Sequence, residues 1–136
     1  MDKAILDTSI IIKWFLQEED SDRALNLLDK IKNQSLEAIT PSIVFLELTN
    51  ALFFSGHPTL EATQKAIRDF SSLGLEIITP DIPLIEKTIS QMFKWDIASY
   101  DALFITLAEE IKVPLITADK KHHKKRFSKW IKYLSD

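Results

Sequence analysis

Hydrophobic residues cluster along this chain in two kinds of pattern, and their alternation sets the expected fold. Short apolar runs lie at Ala4–Leu6, Leu36–Ile39, Leu75–Ile78 and Val113–Thr117. Each has the length and composition of a strand buried on both faces of a parallel sheet. Longer segments between them show helical spacing. Ser9–Leu16 can open a first helix, with Thr8 or Ser9 as cap. Asp22–Asn33 places Ala24, Leu27, Leu28 and Ile31 on one face. Thr40-Pro41 signals a helix start, with Thr40 as cap and Pro41 at the first helical position, running through Ser42–Phe54 to a C′ glycine at Gly56. His57-Pro58-Thr59 is read as a turn, followed by Leu60–Leu73 and Gly74. Asp81 or Pro83 opens a helix to Phe93 with Ile85, Ile89 and Met92 on its apolar side. Tyr100–Ile111 is a further helix, and Trp130–Leu134 a final edge strand. Strands alternating with helices predict an α/β fold in which helices cover both faces of a parallel sheet of four to five strands. Ligands of such sheets bind beyond the carboxyl ends of the strands.

Composition narrows the class. One domain spanning residues 1–136 is expected at this length, and 46% hydrophobic residues suffice for a core. Two glycines and five prolines leave no long linker, and no stretch has membrane-spanning length. The start, Met1-Asp2-Lys3 before a broken apolar run, does not read as a signal peptide. No cysteine is present, which removes disulfide and thiolate chemistry and fits a reducing cytoplasm. The net charge of −3 is uneven: residues 120–136 hold seven Lys/Arg against one acid, so residues 1–119 carry −9. A protein that binds nucleic acid by bulk charge alone is usually basic throughout. An acidic body invites either a solvated surface or a set of acids that needs cations.

Asp7 is the anomaly, a carboxylate at the end of the apolar run Ala4–Leu6 and before Thr8-Ser9-Ile10-Ile11-Ile12. It is costly there unless its charge is met. It can cap a following helix, or it can share a cation with other acids. Asp119 follows the fourth strand as Asp7 follows the first, so both map to the carboxyl edge. Glu47 sits early in an apolar helix that starts from that edge, either on the rim or pointing inward. Asp101 stands in the first turn of Tyr100–Ile111, as a dipole residue or as a fourth member of a cluster. Asp96 reads as a loop or cap acid. Four converging carboxylates would repel one another without a cation. Oxygen-only ligands suit Mg²⁺ or Mn²⁺, and the Cys and His ligands usual for zinc are missing from these positions. Such clusters do metal-assisted phosphoryl chemistry. His122 and His123 can ligate a metal, but read more simply as exposed residues of a basic run. That run, Lys120, Lys121, Lys124, Lys125 and Arg126, is either a solvated face or a contact for the phosphates of a polyanion. The helix holding Phe45 to Phe54 is more apolar than one buried face requires, so part of it can serve a protein interface.

Read in order, Ile5-Leu6-Asp7-Thr8-Ser9, Pro41–Glu47, Tyr100–Glu109 and Pro114–Asp119 resemble the PIN-domain nucleases, and the small size resembles the VapC type, the toxin of a toxin–antitoxin pair. The resemblance implies a PIN-like three-layer sandwich. It implies an Mg²⁺- or Mn²⁺-dependent endoribonuclease that leaves a 5′-phosphate, with Asp7, Glu47, Asp101 and Asp119 as catalytic, metal-binding acids. Thr8, Ser9 and Thr117 match hydroxyls that bond the carboxylates or the attacking water. RNA as substrate, a homodimer and a small antitoxin partner are implied as well. Many relatives carry another acid shortly after the Thr-x-Asp aspartate; Lys120–Arg126 offers none. A PIN-like domain with a weakened site, acting as a protein- or RNA-binding module, is the alternative. A phosphoacceptor domain of the dehalogenase kind needs a second aspartate where Ser9 stands, and one of the response-regulator kind needs an acid pair at the end of strand one.

Overall fold

Ala4, Ile5 and Leu6 are all buried, which requires protein on both faces of the strand they form. A computed structural model describes residues 2–56 and 58–136; the expected turn residue His57 lies outside them. In it, β1 (Asp2–Leu6) is the middle strand of a five-stranded, all-parallel sheet ordered β3-β2-β1-β4-β5. Its neighbours are β2 (Leu36–Pro41) and β4 (Leu115–Thr117), with Ile5 level with both Ile39 and Leu115. The short strands β3 (Glu76–Ile78) and β5 (Ile131–Tyr133) form the edges.

Side chains alternate across a strand, and the two faces carry two separate cores. Ala4, Leu6 and Ala38 pack with residues of α1 (Thr8–Ile11), α2 (Ser21–Lys32), α3 (Val44–Phe53) and α4 (Leu60–Ser72), among them Ile10, Ala24, Leu48 and Phe70. Ile5, Ile39 and Leu115 pack on the opposite side with Phe104, Ile105, Leu107 and Ala108 of α6 (Ser99–Ile111). Residues Ala102 to Ala108 are buried without interruption, so the middle of α6 is enclosed on every side, with α5 (Ile82–Trp95) against it. The expected three-layer arrangement is therefore present.

Three local expectations differ from the structure. The helix expected over Ser9–Leu16 is one turn, Thr8–Ile11, followed by a 3₁₀ segment at Ile12–Trp14; three consecutive isoleucines crowd a longer α-helix. Thr40 and Pro41 do not start α3. They extend β2, because β3 pairs with them: Thr40 is level with Ile77, Pro41 with Ile78, and the Ser42 amide donates to the Ile78 carbonyl. The last β1 pair in that ladder is Ile5 with Ile39, so the missing N–H of Pro41 breaks no bond to β1. On α5 the expected apolar side is turned around. Leu84, Trp95 and the buried Thr88 face inward, while Ile85 and Ile89 are exposed. Thr88 satisfies its hydroxyl on the Leu84 carbonyl at 2.8 Å, and Gln91 bonds Glu109 at 2.8 Å. One hydrogen bond within α5 and one to α6 let polar residues occupy the inward face. Gly74 does terminate α4 as expected, with φ +76°.

Leu6 is the largest side chain β1 gives to its face and has no exposed surface. Leu6→Ala is expected to lower the unfolding free energy in urea by about 2–5 kcal/mol. Leu60→Ala, at a site two-thirds exposed, is expected to change it by about 0.5 kcal/mol or less.

Candidate functional site

The end of β1 delivers Asp7 to the carboxyl edge of the sheet, where its side chain is only 3% exposed together with its backbone. Asp7 holds the N-cap position of α1, yet its carboxylate makes no cap bond; the backbone carbonyl alone accepts from the Ile10 and Ile11 amides. The carboxylate turns instead toward β4. Ser9 Oγ donates to Oδ1, and Thr117 Oγ1 donates to Oδ2. His123 Nδ1 lies 2.9 Å from Oδ2. A ring nitrogen facing a carboxylate carries the proton, so Nδ1–H is the third donor. Each hydroxyl is held in turn: Ser9 Oγ accepts from the Ala118 amide at 2.8 Å, and Thr117 Oγ1 from the Asp119 amide at 3.0 Å. β1 and β4 are thus tied together across the carboxylate.

The other acids come from helices and loops that begin at the same edge. Glu47, in the first turn of α3, is half-buried and accepts a 2.8 Å hydrogen bond from Thr8 Oγ1. Burial pushes its carboxyl above the usual range, and the charges of Asp7 and Asp101 push the same way against the Thr8 bond. Asp101, in the first turn of α6, is likewise raised, by burial and by Asp119 and Asp7, against the opposing charges of His123 and His122. For Asp119, burial is outweighed by hydrogen bonds from the His122 amide (3.0 Å) and ring (2.8 Å), with help from both histidine charges, and its carboxyl lies below the usual range. The four acids therefore feel one another electrostatically. Asp96, by contrast, is exposed at the left-handed residue that ends α5.

His123 corrects the reading of the basic run. It is buried, not exposed, at 3% accessibility. Its amide bonds the Asp119 carbonyl at 3.0 Å, one turn back, which swings the ring inward beneath Phe104. Nε2 lies 3.9 Å from Asp101 Oδ1 and has no hydrogen-bond partner among the described residues. Burial lowers the imidazole's basicity, but the Asp7 bond and the charges of Asp7, Asp101 and Asp119 outweigh it and raise it. A sequence signal existed: Asp119, His123 and Phe127 recur every four residues through the lysines, and His123 and Phe127 are both buried. His122 remains exposed, on Asp119. Lys120, Lys121, Lys124, Lys125 and Arg126 are exposed as well. Lys125 pairs with Asp136 at 2.6 Å, and Arg126 lies over Trp95 and Phe127.

The donor chemistry fits a hard divalent cation. Four carboxylates share one edge, and two of them, Glu47 and Asp101, are destabilised as anions by burial and by neighbouring acids. Among the described residues no three His, Asp or Glu side chains close around a single point as they stand. Asp7 already accepts from three donors, one on Oδ1 and two on Oδ2.

A PIN domain family model matches residues 4–128. No curated protein matches the chain in sequence. Among solved structures, VapBC2 from Rickettsia felis bound to a DNA fragment from its promoter is similar in fold, with a TM-score of 0.73 at 22% identity over 96% of this chain and 98% of that one. VapBC from Salmonella typhimurium bound to DNA gives 0.70 at 21% identity, covering 98% and 99%. The sarcin-ricin-loop-cleaving toxin VapC20 of Mycobacterium tuberculosis gives 0.68 at 15% identity, covering 88% and 92%.

Because Glu47 and Asp101 are raised in the fold, their contribution to stability is fully present below the ordinary values of 4.5 and 3.8 and is lost as pH rises. In EDTA at pH 7, Glu47→Gln and Asp101→Asn are therefore each expected to raise the melting temperature, with the gain shrinking toward pH 4. Excess Mn²⁺ is expected to reverse the order by stabilising the wild type more. Differential scanning fluorimetry across pH, with and without the ion, checks both.

Proposed function

Because the chain belongs to the PIN domain family, we propose that it is an Mg²⁺- or Mn²⁺-dependent endoribonuclease, the toxin of a toxin–antitoxin pair that acts in the cytoplasm. One observation carries this reading: Asp7, Glu47, Asp101 and Asp119 come from four separate segments to the carboxyl edge of one parallel sheet, where Glu47 and Asp101 are penalised as anions. Asp101, Glu47 and Asp119, with Asp7 behind them, are the residues that would hold the cation. The ion, when bound, activates water for attack on the phosphodiester and offsets the charge that develops on the phosphate.

The chain's own residues set the stage for that chemistry. Thr8 holds the Glu47 carboxylate in place, and Ser9 and Thr117 lock Asp7. The exposed Lys120, Lys121 and Lys124 beside Asp119 offer a polyanion the positive charge that an acidic site lacks. Arg126, stacked on Trp95, presents a planar cation on the same side of the chain's basic segment.

Exposed apolar surface supports protein partners. Leu46, Phe53 and Phe54 stand out from α3, and Ile82, Ile85, Ile89 and Phe93 form a stripe along α5 at helical spacing. Two such faces suit an antitoxin and a second copy of the chain. The neighbours described as VapBC and as a toxin–antitoxin complex from Klebsiella pneumoniae support the antitoxin part of this reading.

The alternative, a weakened PIN-like binding module, draws on the three hydrogen bonds that Asp7 already accepts from Ser9, Thr117 and His123. Cleavage of RNA separates the two. Asp7→Asn and Asp101→Asn are each expected to lower Mn²⁺-dependent cleavage by about 100-fold or more while circular dichroism shows the fold retained, and EDTA is expected to abolish it. Wild-type rates in either variant, or in EDTA, would sink the site assignment; a wild type that binds RNA without cutting it would favour the binding module.

A further inference from the structure

The orphaned nitrogen of His123 marks a ligand that the four acids alone do not supply. Its ring is fixed from three sides. Nδ1–H points at Asp7 Oδ2 at 2.9 Å, with Thr117 Oγ1 at 3.2 Å, and the Phe104 ring stands edge-on at 5.9 Å between centroids. These contacts leave Nε2 no freedom to seek another partner. Burial of a ring nitrogen without a hydrogen bond is costly, so its direction calls for an explanation. The nearest acceptor, Asp101 Oδ1, is 3.9 Å away. That is too far for a hydrogen bond, but within the span of two metal–ligand bonds of about 2.0–2.2 Å each. An imidazole whose one N–H donates to a carboxylate while the other nitrogen meets an ion is the usual arrangement of a metal-bound histidine.

We propose that His123 is a nitrogen ligand of the cation site, with Nε2 and Asp101 Oδ1 holding the ion together and Asp7 orienting the ring from behind. This rests on the ribonuclease reading for its cation but makes a separate claim about the ion's coordination. It assigns Asp7 a positioning role through His123 in addition to its negative charge, and it follows from the histidine that stands in the stretch Lys120–Arg126, where no further acid is available. Imidazole binds first-row transition ions better than Mg²⁺, so of the two ions considered the site is expected to prefer Mn²⁺ to Mg²⁺.

Pulsed electron paramagnetic resonance on the full chain loaded with Mn²⁺ tests this directly. The wild type is expected to show ¹⁴N modulation that changes to the ¹⁵N pattern when histidine is ¹⁵N-labelled. The chain has three histidines, so the double variant His57→Gln/His122→Gln keeps His123 alone and is expected to retain the modulation. His123→Gln, which keeps an amide donor for Asp7, is expected to lose it and to weaken Mn²⁺ binding by roughly tenfold or more, with Mg²⁺ affinity little changed. Mn²⁺ bound to the wild type without nitrogen coupling would overturn the proposal and leave the ribonuclease reading standing. Coupling that disappears in the double variant would overturn it as well. A wild type that binds no Mn²⁺ would bring down both.

Discussion

The rest of this structure depends on how one buried charge is met. Asp7 leaves the central strand into an interior position where a carboxylate has almost no contact with water. Taking that charge out of water is expensive, and the fold offsets the cost with three directed donors, Ser9, Thr117 and His123. Two of those donors are themselves oriented by backbone amides at Ala118 and Asp119. The carboxylate is therefore a rigid junction between β1, β4 and the turn that follows β4. Moving it would disturb all three.

The same junction gathers the other acids. A parallel sheet sends every strand's carboxyl end to one edge, and α3 and α6 start from that edge. Glu47 and Asp101 occupy first turns, where the helix dipole favours a negative charge, but burial and mutual repulsion still make their anions unfavourable. The protein holds a destabilised group of acids on a rigid frame. That is the cost expected of the cation site proposed above. His123 lies within this group, bonded to one acid and directed at another.

Much of the arrangement was legible in the sequence because strand ends and helix starts are local features. Asp7 and Asp119 directly follow apolar strands, and Glu47 and Asp101 stand in the first turns of apolar helices. Those positions could be mapped to one edge without coordinates. Long-range effects were not legible. Thr40 and Pro41 carry a strong helix-start signal, yet pairing with β3 keeps them in β2. The inward face of α5 carries Gln91, whose amide donates to Glu109 on α6 only once the two helices pack together. His123 was hidden by its lysine-rich surroundings, and its burial is decided by Asp7, 116 residues away in the chain. In each case a contact distant in sequence overrode a local preference.

A crystal grown with Mn²⁺ and measured at an X-ray wavelength chosen for manganese anomalous scattering tests the central claim most directly. A single strong anomalous peak is expected at the carboxyl edge of the sheet, bounded by Asp101, Glu47, Asp119 and His123 Nε2. A fully occupied ion elsewhere, or an edge that stays empty at saturating Mn²⁺ while Asp7 keeps its three donors, would contradict it.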